Sequence, residues 1–245
     1  MSSFKNRKTI RKYTFQPVSQ RLLEKLIATA SHASTVGNMQ VYSVVATRDV
    51  DIKEQLAPLH FNQPMVMNAP VVLTFCADFN RFSKWCEQRD AAPSYNNLIS
   101  FASAAMDATI FAQTFATLAE QRGLGICYLG TTTYNAEAIC EVLKLPPLVF
   151  PITTLTVGWP AECPNKVDRL PLGAVLHEDV YHDFTPESID ELYEEKEALP
   201  INLQYIKENN KKTLAQVFTD VRYTKKDNIL FSRNFKKALK KQNFF

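Results

Sequence analysis

The sequence predicts an α+β domain with a mixed or antiparallel central sheet flanked by helices, and three observations lead there. Helix-like and strand-like segments alternate without a strict βαβ rhythm. The run Ala69–Ala77 is apolar at consecutive positions, so it reads as a strand buried on both faces, in the middle of a sheet. The segment from Asn96 to Arg122 is apolar or small around most of a helical circumference, as expected of a helix at the heart of a domain or of a dimer interface. With 245 residues, 46% of them apolar, the chain can bury a substantial core.

The elements follow in order. Ser19 is placed to cap a helix, because Leu22, Leu23, Leu26, Ile27 and Ala30 recur at helical spacing and Gly37 closes the segment. Val41–Thr47, rich in β-branched residues, reads as a strand, and Asp51–Leu59 as a short helix. After the Ala69–Ala77 strand comes the long helix, stopped by Gly123. Leu124–Leu129 is a short buried strand; Asn135 can cap a helix to Leu143, ended by Pro146 and Pro147; Val149–Val157 is a further strand. Beyond about residue 182 the composition shifts. Thr185, Pro186 and Glu187 open an acidic helix, and from Lys207 the chain is rich in Lys and Asn. The expected organisation is a domain over residues 1–182 and a helical extension over 183–245 that packs on the core or on a partner subunit.

Composition narrows the function. A net charge of +3 is too small to imply nucleic acid. The longest nearly apolar run, 69–77, is about half of a membrane span, and no secretory h-region follows the basic start, so a cytoplasmic protein is expected. Five cysteines without a C-x-x-C pair disfavour both a disulfide framework and zinc, and are expected to be reduced core thiols; the four histidines have no ligand spacing, so no metal is expected. Gly123 and Gly125 form G-x-G, but Tyr128 breaks the dinucleotide fingerprint; neither a P-loop nor a hydrolase elbow is found.

A cluster of cations remains near the start. Arg7, Lys8 and Arg11, with Thr9 between them, offer two guanidinium forks, an ammonium and a hydroxyl, which suit a doubly charged phosphate if they converge. Read by itself, the same stretch is more often a solvated basic segment.

At this point a family can be named. The stretch NRKTIRKYTFQPVSQRLLEKLIATASHASTVGNMQ resembles the opening of the nitroreductase family: a basic R-[RK]-[ST]-x-R segment, an amphipathic helix and a Ser/Thr-rich turn ending in N-x-Q. NQPMVMNAPVVLTFCAD is similar to the family's Gln-containing turn before a central strand, GLGICYLG to its flavin-contacting strand, and GWPAECPNKVDRLPLGAVLHEDVY to its closing phosphate-contacting segment. The likeness spans about residues 5–182 and is greatest to the larger, NADPH-preferring branch, whose C-terminal extension has a counterpart in 183–245.

The resemblance implies a three-layer, FMN-containing homodimer with the flavin at the subunit interface, NADPH as co-substrate and a nitroaromatic, quinone or similar small molecule as acceptor. It implies that Arg7, Lys8, Thr9 and Arg11 hold the phosphate and ribityl chain, with Arg169 closing the site. Lys166 is a further candidate, one residue before the position, here Val167, where relatives place Lys or Arg. Gln63 would bond the polar edge of the ring, Thr35, Asn38 and Gln40 would contact ribityl or ring, and the backbone at Leu129 and Gly130 would approach the flavin. Gly130 departs from the family by being followed by Thr131 instead of a second glycine. Such a site needs neither triad nor metal, because the flavin performs the redox step. Two alternatives stay open: the same fold with a dedicated reaction such as alkene reduction, and a non-enzymatic protein using its Lys-rich end, with Phe231, Phe235, Phe244 and Phe245, to bind nucleic acid or an acidic partner.

Overall fold

The structure is a computed structural model that describes residues 2–245, with side chains from Phe4 onward. In chain order its elements are α1 (Ser2–Lys5), α2 (Gln20–Ala30), a 3-10 turn (Val36–Asn38), β1 (Tyr42–Thr47), α3 (Val50–Leu59), α4 (Pro64–Asn68), β2 (Val71–Asp78), α5 (Asn80–Glu87), α6 (Leu98–Gln121), β3 (Gly125–Leu129), α7 (Ala136–Val142) and β4 (Val149–Gly158). They continue with α8 (Pro186–Ala198), α9 (Pro200–Glu208), α10 (Leu214–Val217), a π-helical turn (Phe218–Arg222) and α11 (Lys225–Lys241). Two compact units result: one runs to Asn165 and includes Phe231–Phe245, and the other is Lys166–Leu230. The composition boundary at 182 falls inside the second unit.

The first unit is built on a four-stranded, wholly antiparallel sheet of order β1-β2-β4-β3. β2 lies inside the sheet with every residue buried, as its nearly apolar run requires. Its side chains alternate between two helical layers. Val71, Leu73 and Phe75 join Leu155, Val157 and Ile126 against α6 and α2, while Val72, Cys127 and Leu129 pack under α3, α4 and α7. Asn97 caps α6 by accepting from the Ser100 amide, and Ser19 caps α2 by accepting from that of Leu22. Asn135 precedes α7 without capping it through its side chain; its amide donates instead to the Leu59 carbonyl at 2.7 Å and ties two loops together.

α6 has two unlike faces. Phe101, Ala104, Ala108, Phe111, Phe115 and Ala119 form the buried stripe, and Phe111 meets Phe75 edge-on at 5.4 Å and stacks on Tyr42 at 4.4 Å. The opposite stripe, Ile99, Ala102, Met106 and Ile110, is exposed in the single chain. By length and composition α6, at 24 residues, could cross a bilayer, which corrects the expectation that no stretch exceeds half a span. Its buried stripe makes it a core helix of this domain.

Residues 10–14 run back along the sheet. The Ile10 amide donates to Ile126 at 3.0 Å, the Thr14 amide to Trp159 at 2.8 Å and the Ala161 amide to Lys12 at 2.9 Å. Gly125 permits this approach, since a Cβ there would lie 2.6 Å from Ile10 Cβ. The last helix returns to the same unit: Ala238, Leu239 and Phe244 are buried beside Phe101 and Phe150, and Lys237 and Lys241 pair with Glu137 at 2.9 and 3.2 Å.

The second unit is mostly surface. Its capping box is formed by Thr185 and Ser188, and Lys196 pairs with Asp168 at 2.6 Å. Only Asn202, Leu214 and Val217 are buried, whereas Leu172, Val175, Val180 and Tyr181 are each more than 60% exposed. All cysteines are free thiols; four are buried as expected, but Cys163 is exposed, which corrects the reading of the whole set as core residues.

Candidate cofactor site

The assigned residues fall into three groups in the first unit, with Lys166 and Arg169 in the second. The basic segment lies beside the end of β4, where Glu162 accepts the Arg11 amide at 2.6 Å and the Lys12 amide at 3.0 Å. Those amides, with nearby cations, hold the Glu162 carboxyl below the usual range. Lys8 donates to Cys163 Sγ at 3.2 Å, and Arg7 Nε pairs with Glu120 of α6 at 3.1 Å. That pair engages Nε, and a guanidinium has four further N–H donors on its two terminal nitrogens. Thr9 is half-buried, and the side chain of Arg11 is exposed. A cavity of about 250 Å³ opens next to this segment, lined by Asn6, Arg7, Lys8, Glu120 and Gly123 among others.

The second group gathers at the far end of β3. Leu129 is buried, Gly130 is exposed, and nothing lies within 4 Å of where a Gly130 Cβ would stand, so a planar group could approach the backbone there. Gln63, which precedes α4, donates from Nε2 to the His60 carbonyl at 3.1 Å, leaving its amide oxygen free of any protein bond among the described residues. His60 is fully buried with Nδ1 2.8 Å from Thr131 Oγ1, while Nε2 has no partner; burial pushes its pKa down to about 4. Phe61 and Asn62 both take positive φ (57° and 52°), a tight turn that sets Gln63 next to this loop.

The third group is the turn before β1. Gly37, Asn38 and Gln40 all have positive φ, Asn38 and Gln40 are exposed, and Thr35 Oγ1 is buried without a partner. Among the described residues no hydrogen bond or ion pair joins the three groups directly; β3 relates the first two, with Ile10 at its start and Gly130 at its end. In the second unit Lys166 and Arg169 are exposed, and Arg169 donates to the Asp168 carbonyl at 2.7 Å. Among the described residues no group of three or more His, Cys, Asp or Glu could hold a metal ion.

Sequence reasoning did not find Glu162, Glu120, His60, Arg81 or Asp107 as neighbours of the site. Asp107 carried a visible signal: it is the sole charge between Leu98 and Ala119.

An antiparallel sheet between two helical layers, with a cation-rich segment, an amide and an open glycine around it, has the donor set that a phosphorylated planar cofactor requires. Residues 4–159 match the model of the Nitroreductase family, and the chain belongs to that family. It is 35% identical to an FMN reductase (NADPH) of Bacillus subtilis, the match covering 72% of each chain. It is also 35% identical to an oxygen-insensitive NADPH nitroreductase of Salmonella typhimurium over 71% of each. A Bacteroides fragilis protein of known crystal structure superposes over the full length of both chains with a TM-score of 0.99 and 60% identity.

Proposed function

We infer that this chain is an FMN-dependent oxidoreductase that uses NADPH to reduce nitroaromatics, quinones or similar small acceptors. Family membership together with the donor set around β3 carries the reading. FMN, when bound, supplies the electron transfer between nicotinamide and acceptor. The protein's part is to bind and orient. Arg7, Lys8, Thr9 and Arg11 would hold the phosphate, with Arg169 and Lys166 as further cations that the resemblance assigns to it; the unpartnered hydroxyl of Thr35, with Asn38 and Gln40, would take the ribityl chain; the free amide oxygen of Gln63 would accept from the polar edge of the ring; and Leu129–Gly130 would let the ring approach the backbone. Nicotinamide and acceptor would use one shared pocket in turn, which would give ping-pong kinetics. The kcat/KM for NADPH is expected to exceed that for NADH at least about tenfold, the value of one good charge-assisted contact to the 2′-phosphate. Equal values would remove the preference.

The working form is a homodimer. The stripe Ile99, Ala102, Met106 and Ile110 on α6 and the exposed apolar residues of the second unit would be covered by a second copy, which accounts for their exposure in one chain. Replacing Ile99 and Met106 by lysine would place unpaired charges in that interface, at several kcal/mol, and is expected to raise the dimer dissociation constant roughly 100-fold or more. Sedimentation velocity reads this directly; an unchanged dimer would put the interface elsewhere.

A cytoplasmic location fits the free thiols and the use of NADPH. The alternative of a basic nucleic-acid-binding tail is disfavoured: Phe244 is fully buried, Phe235 packs on Phe101 and Phe150 at 5.9 and 5.1 Å, and Phe231 stacks on Tyr134 at 4.3 Å, so those rings are committed to the fold. Lys237 and Lys241 are engaged by Glu137 and Glu141.

A further inference from the structure

The turn at residues 35–40 is an improbable conformation for its sequence. Asn38 and Gln40 both sit at φ 54°, a left-handed region that non-glycine residues occupy at a cost of about 1 kcal/mol each and hold only where the surroundings over-determine it. Two charged side chains from two different helices do so. Asp107, 1% exposed in the middle of α6, accepts the Val36 amide on Oδ1 at 2.9 Å. Arg81 of α5 donates to the Gln40 carbonyl at the other end of the turn. The turn is therefore held at both ends, by an acceptor for its first amide and a donor for its last carbonyl.

The placement of Asp107 is costly in itself. Its second oxygen, Oδ2, is buried without a partner, and a hydrophobic residue would suit the surrounding helix better. Burial raises its pKa, while the amides of Val36 and Val41 pull it back down. A fold that needed only a packed helix here would gain by an alanine, as at positions 104, 108 and 112 on the same buried stripe.

We propose that Asp107 and Arg81 are positioning residues which hold the Thr35–Gln40 turn in the shape that presents Thr35, Asn38 and Gln40 to the cofactor, so that flavin affinity depends on two side chains that do not touch the flavin. This rests on the reading of that turn as a flavin contact. Because Asp107 lies on α6 one residue from Met106 of the exposed stripe, the same helix carries the clamp and the face assigned to the second copy.

The test uses full-length protein stripped of flavin, FMN as the probe, and two readouts: FMN dissociation constant by fluorescence quenching, and amide exchange at Val36. Asp107→Ala is expected to weaken FMN roughly 30-fold and to speed exchange at Val36. Asp107→Asn, whose amide oxygen still accepts from Val36, is expected to restore both to within about threefold of the unsubstituted protein. Arg81→Ala, at an exposed position where folding is not at risk, is expected to weaken FMN roughly fivefold, and it carries the test with Asp107→Asn if the alanine at 107 does not fold. Unchanged FMN affinity in Arg81→Ala and Asp107→Ala, or an asparagine at 107 that fails to restore the binding lost with alanine, would overturn the proposal. Absence of FMN binding by the unsubstituted protein would instead overturn the flavin reading, and exchange at Val36 would then report on the clamp alone, unchanged exchange in Asp107→Ala overturning it.

Discussion

Replacing Arg11 and Arg169 together by alanine is expected to strip the protein of its flavin, lowering FMN affinity by roughly two to four orders of magnitude, since each charge-assisted hydrogen bond lost is worth about 1.5–3 kcal/mol. Neither guanidinium forms an ion pair among the described residues. At Arg11 the neighbouring carboxylate, Glu162, is occupied by backbone amides. At Arg169 the adjacent Asp168 is paired with Lys196, which leaves the arginine's charge available for an anion. Arg7, by contrast, shares its guanidinium with Glu120, so Arg7→Ala should cost less than Arg11→Ala. The double variant keeps the buried core intact, because both side chains are exposed. A purified double variant that retains a full complement of FMN would place the phosphate site elsewhere.

The second large effect is on stability against pH. His60 is buried with a pKa of about 4, against about 6.5 for an unfolded histidine, so the native state refuses a proton that the unfolded chain accepts. The stabilisation is therefore complete above pH 6.5 and is lost as the pH falls towards 4, by roughly 3 kcal/mol at 1.36 kcal/mol per unit. The proton of neutral His60 is best placed on Nδ1, donated to Thr131, because a bare lone pair at the unpartnered Nε2 costs less than a buried N–H without an acceptor. His60→Gln removes the titration while keeping a polar partner for Thr131. Denaturant melts of both proteins from pH 7.5 to 4 should diverge by roughly 3 kcal/mol, the histidine form falling faster; parallel curves would show that His60 is not buried neutral. Since Gln63 bonds the His60 carbonyl, the same acid range should loosen the loop that carries Gln63.

Much of the fold was legible from local patterns. The cap Ser19, the stop at Gly123 and the two-faced apolar run before Asp78 each depend on residues near in sequence, and α2, α6 and β2 stand where those signals put them. α4 and α5 were not foreseen. α4 is five residues long and follows a turn whose positive φ values fall on Phe61 and Asn62, not on the glycines that usually announce such a turn. α5 is short and mostly polar, held by Phe79 and Cys86 beneath it. The return of the last helix to the first unit depends on Phe235, Leu239 and Phe244 meeting Phe101 and Phe150, residues so far apart in sequence that no local pattern encodes the contact.

The site divides in the same way. Its cations and amides were visible as residue types in a recognisable order. Their carboxylate partners were not, because Glu162 and Glu120 reach the basic segment only once β3 and β4 have paired. Asp107 is the instructive case: a charge within the apolar body of a helix is visible in the sequence, but that it holds the Val36 amide is a fact of packing.

The most direct test is the visible absorption spectrum of protein purified with FMN supplied, recorded before and after anaerobic addition of NADPH. Flavin bands that co-purify and then bleach are the expected result. A colourless protein that does not take up FMN would contradict the cofactor site around β3 and with it the proposed reaction.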